Sequence, residues 1–220
     1  MKISNETLTV LASFSRINQS IYINEGDNFL STISIDKNIM GKTEIVETFP
    51  SEFGIYDLSE FLSAASLIAD PDFEFGDTSV VIKNNSTKIK FSYVSKELVI
   101  SPPSTMKFPD PDITINISNE ELTSAIKAAA VLSVPSLIIT NQDGKIVIAV
   151  DDHKNSSANT WSKSIGDYDG DNDFTFIISV DNLKMMPGDY AVDVSSKGIS
   201  RWTNAETVYY IALSLDSTFA

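Results

Sequence analysis

Ser118-Asn119-Glu120-Glu121-Leu122-Thr123-Ser124-Ala125-Ile126-Lys127-Ala128-Ala129-Ala130-Val131-Leu132 is the clearest helical stretch in the chain, and its opening occurs twice. Residues 4–9 read Ser4-Asn5-Glu6-Thr7-Leu8-Thr9, so five of six positions agree 114 residues apart in a chain of 220. Ser118 suits an N-cap, and Glu120 and Glu121 suit the positive first turn of a helix. Leu122, Ile126 and Ala129 form the apolar stripe, which leaves Thr123, Ser124 and Lys127 on the wet face. Such a spacing implies one unit used twice.

The first half follows from its copy of that helix. Asn5 to Ile17 carries an apolar stripe of Leu8, Leu11, Phe14 and Ile17, with Asn5, Thr9, Ser13 and Arg16 opposite. Residues 20–24, 29–35 and 43–49 are β-branched or alternating and are separated by turn residues, so they read as strands. Asp57 caps a second predicted helix, Leu58 to Ala69, which Pro71 stops. Residues 79–83, 88–94 and 97–100 complete the strands.

Four of the eight prolines, Pro102, Pro103, Pro109 and Pro111, then fall together. Proline fixes φ and lacks an amide donor, so this segment reads as a stiff connector. The expected division is 1–101, a connector over 102–111, and 112–220. The second half repeats the order: a strand at 113–117, the opening helix, and a hairpin of 136–140 with 145–150 about Asn141-Gln142-Asp143-Gly144. Strands at 159–164 and 173–180, a short helical turn at 182–186 capped by Asp181, and strands at 190–195 and 207–215 follow. The fold class is α+β, with two similar domains of antiparallel sheet and two helices each on one side.

Composition bounds the function. Hydrophobic residues make up 42% and charged residues 21%, as in a soluble globular protein. No cysteine is present, which suits a reducing compartment. After Met1-Lys2 the chain turns polar, unlike a secretory signal, and no apolar run is long enough to span a bilayer. The formal charge is −14, and both halves are acidic. Tight nucleic-acid binding needs a row of cationic phosphate contacts, and the chain has no such row.

Motifs for catalysis are weak. His153, the single histidine, lies in the polar run 151–155 and reads as part of a solvated loop, with no Gly-x-Ser-x-Gly turn to supply a nucleophile. Asp167, Asp169, Asp171 and Asp173 alternate, but an EF-hand counted from Asp167 would need Gly at the sixth position and a carboxylate at the twelfth. Here the glycine is fourth and Ile178 is twelfth, so an acidic surface turn is the simpler reading. Neither a phosphate-cradling glycine loop nor a cofactor motif occurs, and no enzymatic activity is expected.

Several segments together resemble one family. They are Ile55-Tyr56-Asp57-Leu58 with Phe61-Leu62, Gly166-Asp167-Tyr168-Asp169-Gly170, Phe174, Phe176-Ile177-Ile178, and Lys184-Met185 with Pro187-Gly188 and Tyr190. The close, Ala212-Leu213 with Asp216-Ser217-Thr218, and the opening, Met1-Lys2-Ile3-Ser4, agree too. These are similar to the sliding clamp of T-even-type bacteriophages, the processivity factor of the phage replisome. The resemblance implies two similar domains per protomer and a homotrimer closed head to tail through edge strands. Helices would line a hole through which duplex DNA passes. It also implies an ATP-dependent clamp loader, a DNA polymerase tethered by a short peptide, a part in late transcription, and a place in the cytoplasm of the infected host. It implies no cofactor and no chemistry of the clamp's own. A ring holds DNA by topology, so acidic outer sheets with sparse cations on the lining suffice. On this resemblance the DNA-facing candidates are Lys2, Arg16, Lys127 and Lys184. The candidates for a partner-peptide pocket are Met106, Phe108, Tyr210, Ala212 and Leu213. Two readings compete: an acidic, β-rich structural or interaction protein of a phage, and a calcium-dependent binding module using 167–173.

Overall fold

Ser4 and Ser118 each cap a helix, as the repeat requires. In the computed structural model, which describes residues 1–205 and 207–220, Ser4 accepts the amide of Thr7 and Ser118 that of Glu121. The helices they open are α1 (Asn5–Phe14) and α3 (Asn119–Leu132); between them lies α2 (Leu58–Ser66), capped by Asp57. No described helix is long and apolar enough to cross a membrane. The chain forms two compact units, Met1–Thr105 and Met106–Ala220.

The first unit contains β1 (Ile21–Ile23), β2 (Phe29–Ile33), β3 (Ile39–Glu44), β4 (Phe53–Ile55), β5 (Asp72–Phe75), β6 (Ser79–Lys83) and β7 (Lys88–Ser92). The second contains β8 (Ile113–Ile117), β9 (Ser136–Gln142), β10 (Lys145–Asp151), β11 (Trp161–Asp167), β12 (Phe174–Ser179), β13 (Tyr190–Ser195), β14 (Ile199–Thr203), β15 (Thr207–Ala212) and β16 (Thr218–Phe219). All the named pairings are antiparallel, and they repeat. Strand β1 pairs β4 as β9 pairs β12, and β2 pairs β3 as β10 pairs β11. Strands β5-β6-β7 form one meander and β13-β14-β15 the other. Even the opening is matched: β8 pairs β13, and the Met1 carbonyl accepts the amide of Phe73 on β5. The internal repeat is therefore topological and reaches well beyond six residues.

Each unit buries its helices' apolar faces against its own strands. In the first, Val10, Leu11 and Phe14 of α1 and Leu58, Phe61 and Ala65 of α2 meet Ile21, Phe53, Phe73, Val80 and Ile82. In the second, Leu122, Ala125 and Ala129 bring α3 down onto β9, β10 and β11, and two alanines at the contact permit close approach. Strand alternation is clear: β8 buries residues 113, 115 and 117 and exposes 114 and 116.

The structure differs from the sequence reading in several places. The expected turn of helix at 182–186 is a 3-10 turn, Val180–Asn182, followed by irregular chain, so among its described residues the second unit has one α-helix rather than two. Leu183 and Met185 are both buried while Lys184 is exposed, a period of two that a helix cannot satisfy. Residues 97–100 form no strand; Lys96–Leu98 is a 3-10 turn. Ser13, expected on the wet face, is 5% exposed. Strands β4, β5, β14 and β16 were not expected at all.

Candidate functional site

The outward faces of the helices are small and polar. Asn5, Glu6, Thr9 and Ala12 are exposed on α1, Ser59, Glu60, Ser63 and Ser66 on α2, and Asn119, Glu120, Lys127 and Ala130 on α3. Hydroxyls and methyls dominate, and charges of either sign are sparse. Such a face wets readily and holds nothing tightly. It suits loose contact with a polyanion, since each firm cation–phosphate contact would add to grip.

The four candidate cations are placed differently. Lys127 is exposed midway along α3 and makes no ion pair among the described residues. Arg16 is exposed just beyond α1, and its guanidinium donates to Ser13 Oγ at 3.3 Å. Lys2 is committed elsewhere: its ammonium lies 2.9 Å from Asp70 and 3.7 Å from Asp72, and it donates to the Asp70 carbonyl at 2.6 Å. The hydrogen bond to Asp70 holds the Lys2 ammonium above its ordinary pKa. Lys184 is exposed but stands in a loop rather than on a helix. That loop is docked on the head of α3, where the Gly188 amide donates to Asn119 Oδ1 at 3.1 Å and the Asn119 amide donates to Asp189 Oδ1 at 2.7 Å.

The acidic head of α3 also has an account. Glu121 Oε2 accepts the Ser118 amide at 2.9 Å and the Ser118 hydroxyl at 2.8 Å, and Glu121 Oε1 lies 3.4 Å from Lys163 on β11. Burial pushes this carboxyl up, but the Ser118 donors and Lys163 outweigh it and hold it below the ordinary range. Lys163 closes a charge that the sequence alone left open. Its signal was only parity along β11.

The pocket candidates divide. The Phe108 ring lies 6.2 Å from that of Tyr210, and the Arg201 guanidinium carbon sits 4.7 Å from the centre of the Phe108 ring. Arg201 is held in turn by Asp193, through Nε at 3.0 Å, and Asp193 accepts from Thr114 at 2.7 Å. Register places Thr114, Asp193, Arg201 and Tyr210 directly opposite one another across four strands, so they form one row on the outer sheet face. Phe108 packs on the end of that row. Ala212 shares the half-exposed side of β15 with Tyr210, whereas Leu213 is 8% exposed and belongs to the core. Met106 is 38% exposed and has no ring contact among the described residues. Phe108 and Tyr210 are thus in ring contact, Ala212 lies on Tyr210's side of β15, and Leu213 is buried. Sequence reasoning missed Arg201 and Asp193, because β14 was not recognised.

Two further clusters are structural. Ser136 Oγ lies 3.0 Å from His153 Nδ1, and His153 Nε2 lies 3.1 Å from Asp216 Oδ2. The order is that of a hydrolytic triad, but Ser136 is 3% exposed, so a substrate carbonyl has no approach to its hydroxyl. The relay fastens the segment after β15 to the turn after β10. In the acidic loop Asp167 is paired with Lys145, and Asp173 exchanges backbone hydrogen bonds with Ala220. Among the described residues no three His, Cys, Asp or Glu side chains converge as a metal site would require.

Two family models cover the chain. One described as "DNA polymerase processivity factor" matches residues 4–98, and one described as "gp45 sliding clamp, C terminal" matches residues 114–215. The curated proteins named Sliding clamp from Vibrio phage KVP40 and Escherichia phage RB69 are 31% and 30% identical over 96% and 99% of this chain. The matches span 98% and 99% of those proteins. The Sliding clamp of Enterobacteria phage T4 is 31% identical over 99% of both chains. Among solved structures, A. fulgidus PCNA bound to the C-terminal region of FEN-1 superposes with a TM-score of 0.71 at 15% identity, covering 96% of each chain. The DNA polymerase III beta chain of Streptococcus pneumoniae gives 0.68 at 13%, covering 96% of this chain and 63% of the longer one.

Proposed function

Because this chain belongs to the phage sliding-clamp family of DNA polymerase processivity factors, we propose that three copies close head to tail into a ring around duplex DNA. The ring tethers the replicative polymerase and is a non-catalytic accessory of replication. The observation that carries the reading is the doubled unit, in which each set of strands carries helices whose outward faces hold few cations, Lys127 on α3 among exposed Glu6, Glu60 and Glu120. A protein that gripped DNA by affinity would put cations there. One that holds DNA by enclosure has no need of them and slides better without them.

The remaining parts of the reading follow from the family. An ATP-dependent loader opens and closes the ring. The polymerase contributes a short peptide that lies on the outer surface at Phe108, Tyr210 and Ala212, with Met106 at the margin. Lys127, Arg16 and Lys184 steer DNA toward the hole, and Lys2, held by Asp70, contributes least. The protein works in the cytoplasm of the infected host and also assists late transcription.

Sedimentation at modest concentration tests the ring, which should give a species near three times 24.1 kDa. Retention on closed circular DNA tests enclosure: it should require loader and ATP and vanish when the circle is cut. Retention that survives linearisation would identify ordinary binding and sink the proposal.

A further inference from the structure

Tyr56 is the one exposed aromatic side chain among the described residues, at 63% exposure. Its hydroxyl makes no hydrogen bond and its ring no ring contact among those residues. Such a ring forgoes the burial that most aromatics gain on folding. The fold does not require it there. Tyr56-Asp57-Leu58, the turn that opens α2, is exposed, half-buried and buried in order. After β12 the second unit repeats that order with Asp181-Asn182-Leu183, and there the exposed position holds a carboxylate. Leu58 and Leu183 are both core. The repeat therefore specifies the leucine and leaves the outer position to a purpose other than folding.

The surroundings of Tyr56 are polar and close to neutral. The Leu58 amide donates to the Gln19 carbonyl at 2.8 Å, which ties the head of α2 to the chain just after α1. Arg16 and Gln19 are exposed on that stretch. Asp57 directs its carboxylate at the Glu60 amide, 2.9 Å away, as the N-cap of α2. The exposed Glu60 and Arg16 offset one another in charge. Tyr56 thus presents a neutral donor at the end of the α1–α2 pair.

We propose that Tyr56 is a nucleic-acid contact, its hydroxyl donating to the phosphate backbone of the enclosed duplex. This rests on the ring reading above. Tyrosine hydroxyls are among the groups that bind phosphate oxygens without reading sequence. Every nucleotide offers such an oxygen, so a neutral donor exchanges one for the next as the duplex moves. It displaces no counterion and adds nothing to the salt-dependent grip that would oppose sliding. A protein partner docking on the ring would call for an apolar surround, and the exposed neighbours Arg16, Gln19, Ser59 and Glu60 are all polar.

The test is photocrosslinking. Tyr56 and, in a second protein, Lys127 are each replaced by p-benzoylphenylalanine and irradiated with a blunt linear duplex, whose open ends let a ring thread on. Both positions should crosslink to DNA. A crosslink at 127 with none at 56, or one from 56 to protein alone, overturns the Tyr56 contact and leaves the ring standing. Failure of both positions to reach DNA overturns the ring reading as well. Tyr56→Phe, which keeps the ring and removes only the hydroxyl, should weaken unassisted association with the duplex by about three- to tenfold. The slope of log K against log salt should stay as it is in the natural chain, where loss of a cation would lower it. Its melting temperature should also be unchanged, because the hydroxyl is exposed and bonds nothing in the fold. Unaltered association, or a slope that falls with it, rejects a neutral hydroxyl–phosphate contact.

Discussion

Glu47 accepts the Ser4 amide at the head of α1 as Glu121 accepts the Ser118 amide at the head of α3. Glu121 belongs to its own helix and closes a capping box with Ser118. At the matching position α1 has Thr7, whose hydroxyl is too short to reach back to the Ser4 amide. Glu47, distant in sequence and 9% exposed, accepts both the Ser4 amide and the Thr7 hydroxyl. The two copies of the unit thus close one helix end by a local and by a non-local carboxylate.

Glu47→Ala removes a buried acceptor and leaves two donors without it. The loss should be about 1–3 kcal/mol of unfolding free energy, the cost of unsatisfied buried groups. Glu47→Gln, which keeps one acceptor, should lose less. Urea denaturation measures both, and an alanine variant as stable as the natural chain would mean that water replaces the carboxylate.

The acid limb of the stability curve has a sign. Burial pushes the carboxyls of Glu47, Glu121 and Asp193 up, but hydrogen bonds from Thr7 and Ser4, from Ser118, and from Thr114 and Arg201 overcome it. All three are held below the ordinary values of about 3.9 for Asp and 4.3 for Glu. As pH falls, the unfolded chain takes up protons first, so the folded state loses its advantage. Stability should be level above about pH 5 and decline below it as the depressed folded values are passed. Thermal melting between neutral and acid pH would show it, and Glu47→Gln should have a shallower decline.

What the sequence revealed was local. Caps at Ser4, Asp57 and Ser118 and the helices they open are written within a few residues, so they were legible. Strand β14 was not, because its inward positions are Ser200 and Trp202 rather than two aliphatics. Ser200 is satisfied only by groups distant in the chain or two residues on: it donates to the Ile211 carbonyl and accepts from the Trp202 indole. Ser13 and Thr7 look like surface residues until Arg16 and Glu47 are placed beside them. The same limit hid Arg201 and Lys163 from the candidate sites, since each takes its role from a partner across the sheet or on a facing helix.

Ser133 ends α3 with φ of 55°, a left-handed conformation that costs a residue with a Cβ. Ser133→Gly should therefore relieve a left-handed penalty of about 1–2 kcal/mol, less the roughly 0.4–1 kcal/mol that the freer unfolded chain takes back, for a small net stabilisation. A rise in melting temperature would confirm it, and a fall would mean that unfolded-state entropy outweighs the strain.

The outer-face row and the core behind it should respond differently. Phe108→Ala removes a ring that rests on Tyr210 and Arg201 at the surface. It should weaken capture of a polymerase tail peptide severalfold while changing stability by about 1 kcal/mol or less. Leu213→Ala opens the core and should cost about 2–5 kcal/mol. Peptide titration by fluorescence anisotropy, beside denaturation, separates the two. Binding that follows stability in both variants would remove Phe108 from the peptide site.

Lys127 is the sharpest test of the helix face, because it stands alone there. The first turn of α3 has Glu120 and Glu121, so this helix presents a net negative charge with one cation midway. If DNA passes this face, Lys127→Glu leaves the fold intact, since the side chain is exposed and has no ion-pair partner among the described residues. Its effect should be on steering. Loaded rings should dissociate no faster, because enclosure holds them, whereas the unassisted association of the protein with DNA should weaken and its salt dependence flatten. Losing one phosphate contact per protomer lowers the slope of log K against log salt by about 0.9 for each contact removed. Lys2→Glu should change that slope far less, because Lys2 is already neutralised by Asp70 and Asp72. Equal slopes for Lys127→Glu and the natural chain would place DNA away from this face of α3.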